Sequence, residues 1–227
     1  MVNRSNFHLA LGCLAAALAT ASANAAGAEP TIPQGRNAGT GSIVVLGDSL
    51  AVSPSRTQNF PAELQKRLDA AGLHWTVTNA GISGDKTTNG LRRMESVLTR
   101  DTRLLIVELG VNDGLRGVEL SIIETNLSAI IERAQARGIR VLLCGTLVPP
   151  RHGWQYAVDF QALFPRLAAR YDVPLVPFLL TGVALNQDLN GPDGIHPNLT
   201  GAQRIAETVW PYLEPLVKRE PAPISGR

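Results

Sequence analysis

The run Leu104-Leu105-Ile106-Val107-Glu108-Leu109 constrains this chain more than any other segment. It is apolar at odd and even positions alike, and Glu108 is its one exception. A strand with one wet face alternates apolar and polar residues. A strand apolar on both faces has to be covered on both, as in a parallel sheet held between two layers of helix. Similar runs recur along the chain, and the pattern predicts strands over 42–47, 74–78, 103–109, 139–145 and 173–177. Amphipathic stretches at 60–72, 87–99, 120–137, 155–171 and 199–218 separate or follow them. In the third of these, Ile122, Ile123, Leu127, Ile130, Ile131 and Ala134 recur at helical spacing, and Gly138 is a helix stop. Strand–helix alternation of this kind predicts the α/β class, as a three-layer α/β/α sandwich with right-handed crossovers.

The ends of the chain have a different character. Arg4, an apolar stretch from about Leu9 to Ala19, and Ala23-Asn24-Ala25 together read as a secretion signal over 1–25, cleaved after Ala25. The apolar stretch is too short and Ala-rich to read as a membrane span. Gly12-Cys13 offers a lipid-attachment site as an alternative, which Ala10 and the apolar residues beyond the cysteine disfavour. Residues 26–41, rich in Gly, Pro and Ala, read as a flexible lead-in, and 219–227 as a disordered tail. The segment 42–218 between them has the length of one α/β domain. The expected location is periplasmic or secreted, with no stable membrane insertion after cleavage.

A formal net charge of +2, with Lys and Arg scattered along the chain, argues against a nucleic-acid partner. Arg92-Arg93 reads as a solvated helix face. Cys144 is the one cysteine beyond the leader and lies in an apolar run, so a buried hydrophobe is expected. No C-x-x-C pair or His–Cys cluster suggests zinc.

Four short segments carry the polar residues suited to chemistry: Gly47-Asp48-Ser49-Leu50, Asn79-Ala80-Gly81-Ile82-Ser83-Gly84-Asp85, Gly110-Val111-Asn112-Asp113-Gly114 and Asp193-Gly194-Ile195-His196-Pro197. The first three follow predicted strands, at the edge where open α/β sheets bind ligands. A serine hydroxyl is a poor nucleophile until a base takes its proton. Of the four histidines, His8 leaves with the leader, His74 reads as structural and His152 as a surface residue, which leaves His196 as base for Ser49. Asp193 lies three residues before His196, a spacing at which a tight turn can orient the imidazole. Gly84, the side chain of Asn112 and the Ser49 backbone N–H are candidate donors to an oxyanion. A competing reading makes Asp48, Asp85, Asp113 and Asp193 ligands for a hard cation, and leaves the serine and histidine without a purpose.

Taken in order, Ser49, Gly84, Asn112 and His196 with their flanks resemble the four blocks of the SGNH hydrolases of the GDSL family. Val107-Glu108-Leu109-Gly110, Asn112-Asp113-Gly114-Leu115-Arg116-Gly117 and Asp172-Val173-Pro174-Leu175 extend the similarity toward the bacterial periplasmic thioesterase and lysophospholipase type, over roughly 42–218. The resemblance implies a flavodoxin-like sheet of about five parallel strands and needs no cofactor or metal. It implies Ser49 as nucleophile, His196 as base and acid, Asp193 as orienting carboxylate, and Ser49, Gly84 and Asn112 as the oxyanion hole. The expected substrate is a small acyl ester or thioester, lipids among them. The alternatives are deacetylation of a polysaccharide and an inactive binding module. Val111 stands where relatives often have glycine, which bears on acyl-pocket shape. Val111, Leu115, Pro149, Trp154, Tyr156 and Ile195 are the candidate pocket residues.

Overall fold

The computed structural model describes residues 40–218. The leader (1–25), the lead-in up to residue 39 and the tail (219–227) lie outside the described residues. β1 (Thr40–Gly47) starts two residues before the expected strand, inside the stretch read as lead-in. There follow α1 (Ser49–Val52), α2 (Phe60–Ala70), β2 (His74–Asn79), α3 (Thr87–Val97), β3 (Thr102–Glu108), α4 (Val111–Leu115), α5 (Leu120–Ala136), β4 (Arg140–Cys144), α6 (Trp154–Tyr171), β5 (Leu175–Val176) and α7 (Leu199–Lys218). The five strands pair in parallel, in the order β2-β1-β3-β4-β5. This is a flavodoxin-like order. The chain winds outward in both directions from the β1–β3 pair, and the crevice between the loops leaving those strands is where such sheets bind ligands.

β1 shows how alternation serves a strand covered on both sides. Ile43 and Val45 enter one apolar core, formed with Phe60, Leu64 and Leu68 of α2 and Ile205, Val209 and Leu213 of α7. Val44 and Leu46 enter the other, formed with Met94 of α3, Leu127 and Ile131 of α5, and Phe160, Phe164 and Leu167 of α6. Cys144 is buried, as its apolar surroundings predict.

Expectation and structure part at β5. The run 173–177 yields a ladder of only two residues. Pro174 and Pro177 flank it, and neither has an N–H to give to a neighbour.

The two edges of the sheet differ in surface. At the amino edge the turns bury Leu98, Ile139 and Val173. At the carboxyl edge large apolar side chains stand in solvent: Ile82 after β2, Leu115 after β3, Leu147 after β4, and Leu185 and Ile195 after β5.

Candidate active site

β1 ends at Gly47, where the backbone runs against β3. A Cβ at this position would lie 2.5 Å from Glu108 Oε2, so no larger residue fits without displacing that carboxyl. Glu108 Oε2 accepts the Asp48 N–H at 3.0 Å. Asp48 then caps α1, its Oδ1 accepting the Leu50 N–H at 3.0 Å. Ser49 follows as the first residue of that short helix, half-buried at the carboxyl edge.

The loop before α7 brings a histidine to this serine. An antiparallel bridge joins Asn190 and Pro197, and the Gly191 N–H donates to His196 O at 2.8 Å. Inside this turn Asp193 Oδ1 accepts the N–H groups of Ile195 and His196 at 2.9 and 3.0 Å. Its Oδ2 meets His196 Nδ1 at 2.6 Å. The His196 hydrogen bond, helped by the two backbone donors, holds the Asp193 carboxyl well below the usual carboxylate range. A carboxylate on Nδ1 fixes that nitrogen as the donor and leaves Nε2 as an acceptor. Nε2 lies 2.9 Å from Ser49 Oγ, across 147 residues of sequence.

Asn112 arrives from the turn after β3. Its Nδ2 donates to Asp48 Oδ2 at 3.0 Å, and its Oδ1 accepts from Arg116 at 3.1 Å. Both ends of the amide are therefore assigned, and the second Nδ2 hydrogen remains available. Neighbouring Asp113 is buried and accepts the Thr87 N–H and hydroxyl at 2.8 and 2.7 Å, which pins the turn to the start of α3. Gly84 has φ +80, a backbone that favours glycine. Among the described residues neither the Ser49 nor the Gly84 N–H has a hydrogen-bond partner.

Ser49, Gly84, Asn112, Asp193 and His196 line one cleft of about 810 Å³, completed by Ser53, Pro54, Ser83 and Pro192 among others. The six residues expected to shape the pocket are not among those lining it. Val111 is half-buried and packs down onto the α2–α7 core. Tyr156 donates its hydroxyl to Val118 O at 2.7 Å and stacks on Phe160. Leu115, Pro149, Trp154 and Ile195 are exposed. His152 lies over the turn containing Gly117, with Nε2 3.1 Å from Leu115 O, and His74 is exposed at the start of β2.

Two features went unread in the sequence. Arg93 is not part of a solvated face; only Arg92 is exposed. The Arg93 guanidinium donates to Asp85 Oδ2 at 2.7 Å, Ala80 O at 2.6 Å and Gly47 O at 2.9 Å, joining the end of β1 to the loop that carries Gly84. A signal existed: Arg93 lies three residues after Gly90 and four before Val97, on the packed stripe of α3, whereas Arg92 does not. The second is the buried pair Asp48 and Glu108. Burial raises the Asp48 carboxyl to about 6. Burial, and then the charge of Asp48, push Glu108 well above its ordinary value. The four aspartates weighed as cation ligands are engaged separately, Asp85 by Arg93, Asp113 by Thr87, Asp48 by Leu50 and Asn112, and Asp193 by its own turn. Among the described residues no group of three or more His, Cys, Asp or Glu could hold a metal ion.

The chain has relatives among known proteins. The model of the GDSL-like Lipase/Acylhydrolase family matches residues 45–204. The chain is 40% identical over 178 residues to Esterase TesA of Pseudomonas aeruginosa, covering 77% of this chain and 89% of that protein. It is 36% identical over 188 residues to the Thioesterase 1/protease 1/lysophospholipase L1 of Escherichia coli, covering 82% and 89%. Among solved structures, the psychrotrophic esterase EstA from Pseudoalteromonas sp. superposes with a TM-score of 0.74 at 27% identity, over 79% of this chain and 100% of that one.

Proposed function

Because the chain belongs to the GDSL-like lipase/acylhydrolase family, we propose that it hydrolyses acyl esters and thioesters through a covalent acyl-enzyme on Ser49. The observation that carries this reading is the 2.9 Å approach of His196 Nε2 to Ser49 Oγ, with Asp193 2.6 Å behind the ring. His196 takes the Ser49 proton as Oγ attacks the acyl carbonyl. The N–H groups of Ser49 and Gly84 and the free amide hydrogen of Asn112 receive the developing oxyanion. His196 then hands its proton to the leaving alcohol or thiol, and a water molecule repeats the sequence on the acyl-enzyme. Asp193 stabilises the imidazolium that forms at each stage and stays ionised throughout.

The relatives' names support the substrate class: esterase in one, thioesterase and lysophospholipase in the other. Deacetylation of a polysaccharide is less well supported, because none of the described residues lining the cleft is an aromatic that could stack on a sugar ring. The test is Ser49→Ala assayed on a short p-nitrophenyl ester, alongside mass spectrometry of the wild type after fluorophosphonate treatment. Loss of turnover and a single adduct on the peptide containing Ser49 are expected; a fully active Ser49→Ala sinks the assignment.

We also place the reaction outside the cytoplasm. The leader pattern ending at Ala23-Asn24-Ala25 supports this, and among the described residues no helix is long and apolar enough to cross a membrane. Amino-terminal sequencing of protein recovered from the periplasm or medium should begin at Ala26.

A further inference from the structure

All nine large hydrophobic side chains that are exposed among the described residues lie at the carboxyl edge of the sheet, where the cleft opens. Five are the residues already described after the strands, Leu115 among them at the end of α4. The other four stand at the amino ends of helices: Ile122 in the first turn of α5, Trp154 and Val158 in the first two turns of α6, and Leu199 at the start of α7. A helix that follows a parallel strand runs back along it, so its amino end lies at the strand's carboxyl edge. Trp154 is 77% exposed and Val158 57%, one turn apart on one helix face. Burial of apolar surface drives folding, and single exposed apolar residues scattered over a surface need no explanation. Confinement of every one to a single edge does.

We infer that this edge is a docking face for a lipid aggregate, a micelle or bilayer whose apolar layer receives Trp154, Val158 and Ile122 while an acyl ester passes from it into the cleft. The inference rests on the acyl-hydrolase reading of Ser49 and adds where the substrate is met. Two observations select the occupant. The face contains the cleft, so a second copy or a protein seated there would cover the reactive serine, whereas a lipid aggregate presents the ester itself. Its charges nearly balance: Arg56, Lys86, Arg116 and Arg151 stand on this edge outside any ion pair, and so do Glu119, Asp159 and Asp188. Apolar contact therefore dominates, with tryptophan as the interfacial anchor.

The test uses the full chain carrying Ser49→Ala, so that lipid is bound and not consumed, sedimented with phosphatidylcholine vesicles at low and high salt. Binding that survives high salt is expected. Trp154→Ser in the same background should lower the partition about tenfold, as expected for loss of a buried aromatic's area. Ile122→Ser with Val158→Ser should also weaken vesicle binding, and in the otherwise native enzyme should leave turnover of a water-soluble short-chain ester unchanged. Quenching of the native protein's tryptophan fluorescence by brominated phosphatidylcholine gives a readout that needs no variant. The inference is overturned by absence of vesicle binding, by binding that requires anionic lipid and disappears in salt, or by a dimer that Trp154→Ser dissolves. Failure of the soluble-ester assay in the wild type would instead count against the acyl-hydrolase reading, because vesicle binding is read without turnover.

Discussion

Asn112 is held at both ends of its amide, by Asp48 on nitrogen and Arg116 on oxygen. Its remaining hydrogen is therefore aimed before any substrate arrives, the condition under which an oxyanion donor contributes most. Asn112→Ala should lower kcat on the order of 10²–10³-fold with KM changed far less, as read by steady-state kinetics on a soluble ester. Glu108 sets up a second prediction at this scale. Its carboxyl and that of Asp48 are both raised by burial, so the folded protein binds protons here that the unfolded chain has released. The resulting stabilisation is complete below the unfolded carboxylate range of about 4 and is lost as pH rises through the folded values, about 6 for Asp48. Glu108→Gln keeps an acceptor for the Asp48 N–H and removes one titration. Denaturant unfolding at about pH 5 and about pH 8 should show the wild type losing more stability across that interval than the variant does. An equal loss in both proteins would remove Glu108 from the account.

α3 is the strut of the site. Thr87 at its start holds the Asn112 turn through Asp113, and Arg93 further along holds the Gly84 loop to the end of β1. Arg93→Met should lower kcat about 10²-fold at a temperature where the variant is still folded, since a small displacement of one donor suffices. Arg93→Lys should rescue little, because an ammonium cannot serve three acceptors in the fork that a guanidinium spans. Kinetics set beside circular dichroism separate this from unfolding. The longer elements were legible in the sequence because their apolar periods repeat: the helices at 60, 87, 120 and 199 begin where their patterns begin. α1 and α4 were not, being four and five residues long and so shorter than any period can report. The meeting of Ser49, Asp193 and His196 could be read from residue types and order. The wiring behind it could not, because Arg93 and Glu108 act through contacts 46 and 60 residues away in sequence. The isolated acid in an apolar strand was the visible trace of that wiring.

For the molecule as a whole, the sheet divides two cores that share no side chain. Leu64→Ala on one side and Leu127→Ala on the other should each cost about 2–5 kcal/mol. The double variant should show their sum to within about 0.5 kcal/mol in denaturant unfolding, because no common cavity couples them. A larger deviation would mean that the sheet transmits repacking from one layer to the other. The contact across 147 residues also has a consequence for timing. Asp193 and His196 find each other within one turn, whereas Ser49 leaves the first strand and meets them only when the final loop has closed over the finished sheet. A chain caught halfway therefore holds a serine with no base. Reactivity therefore switches on only with the completed fold, and in no intermediate in which the first strand and the last loop are still apart.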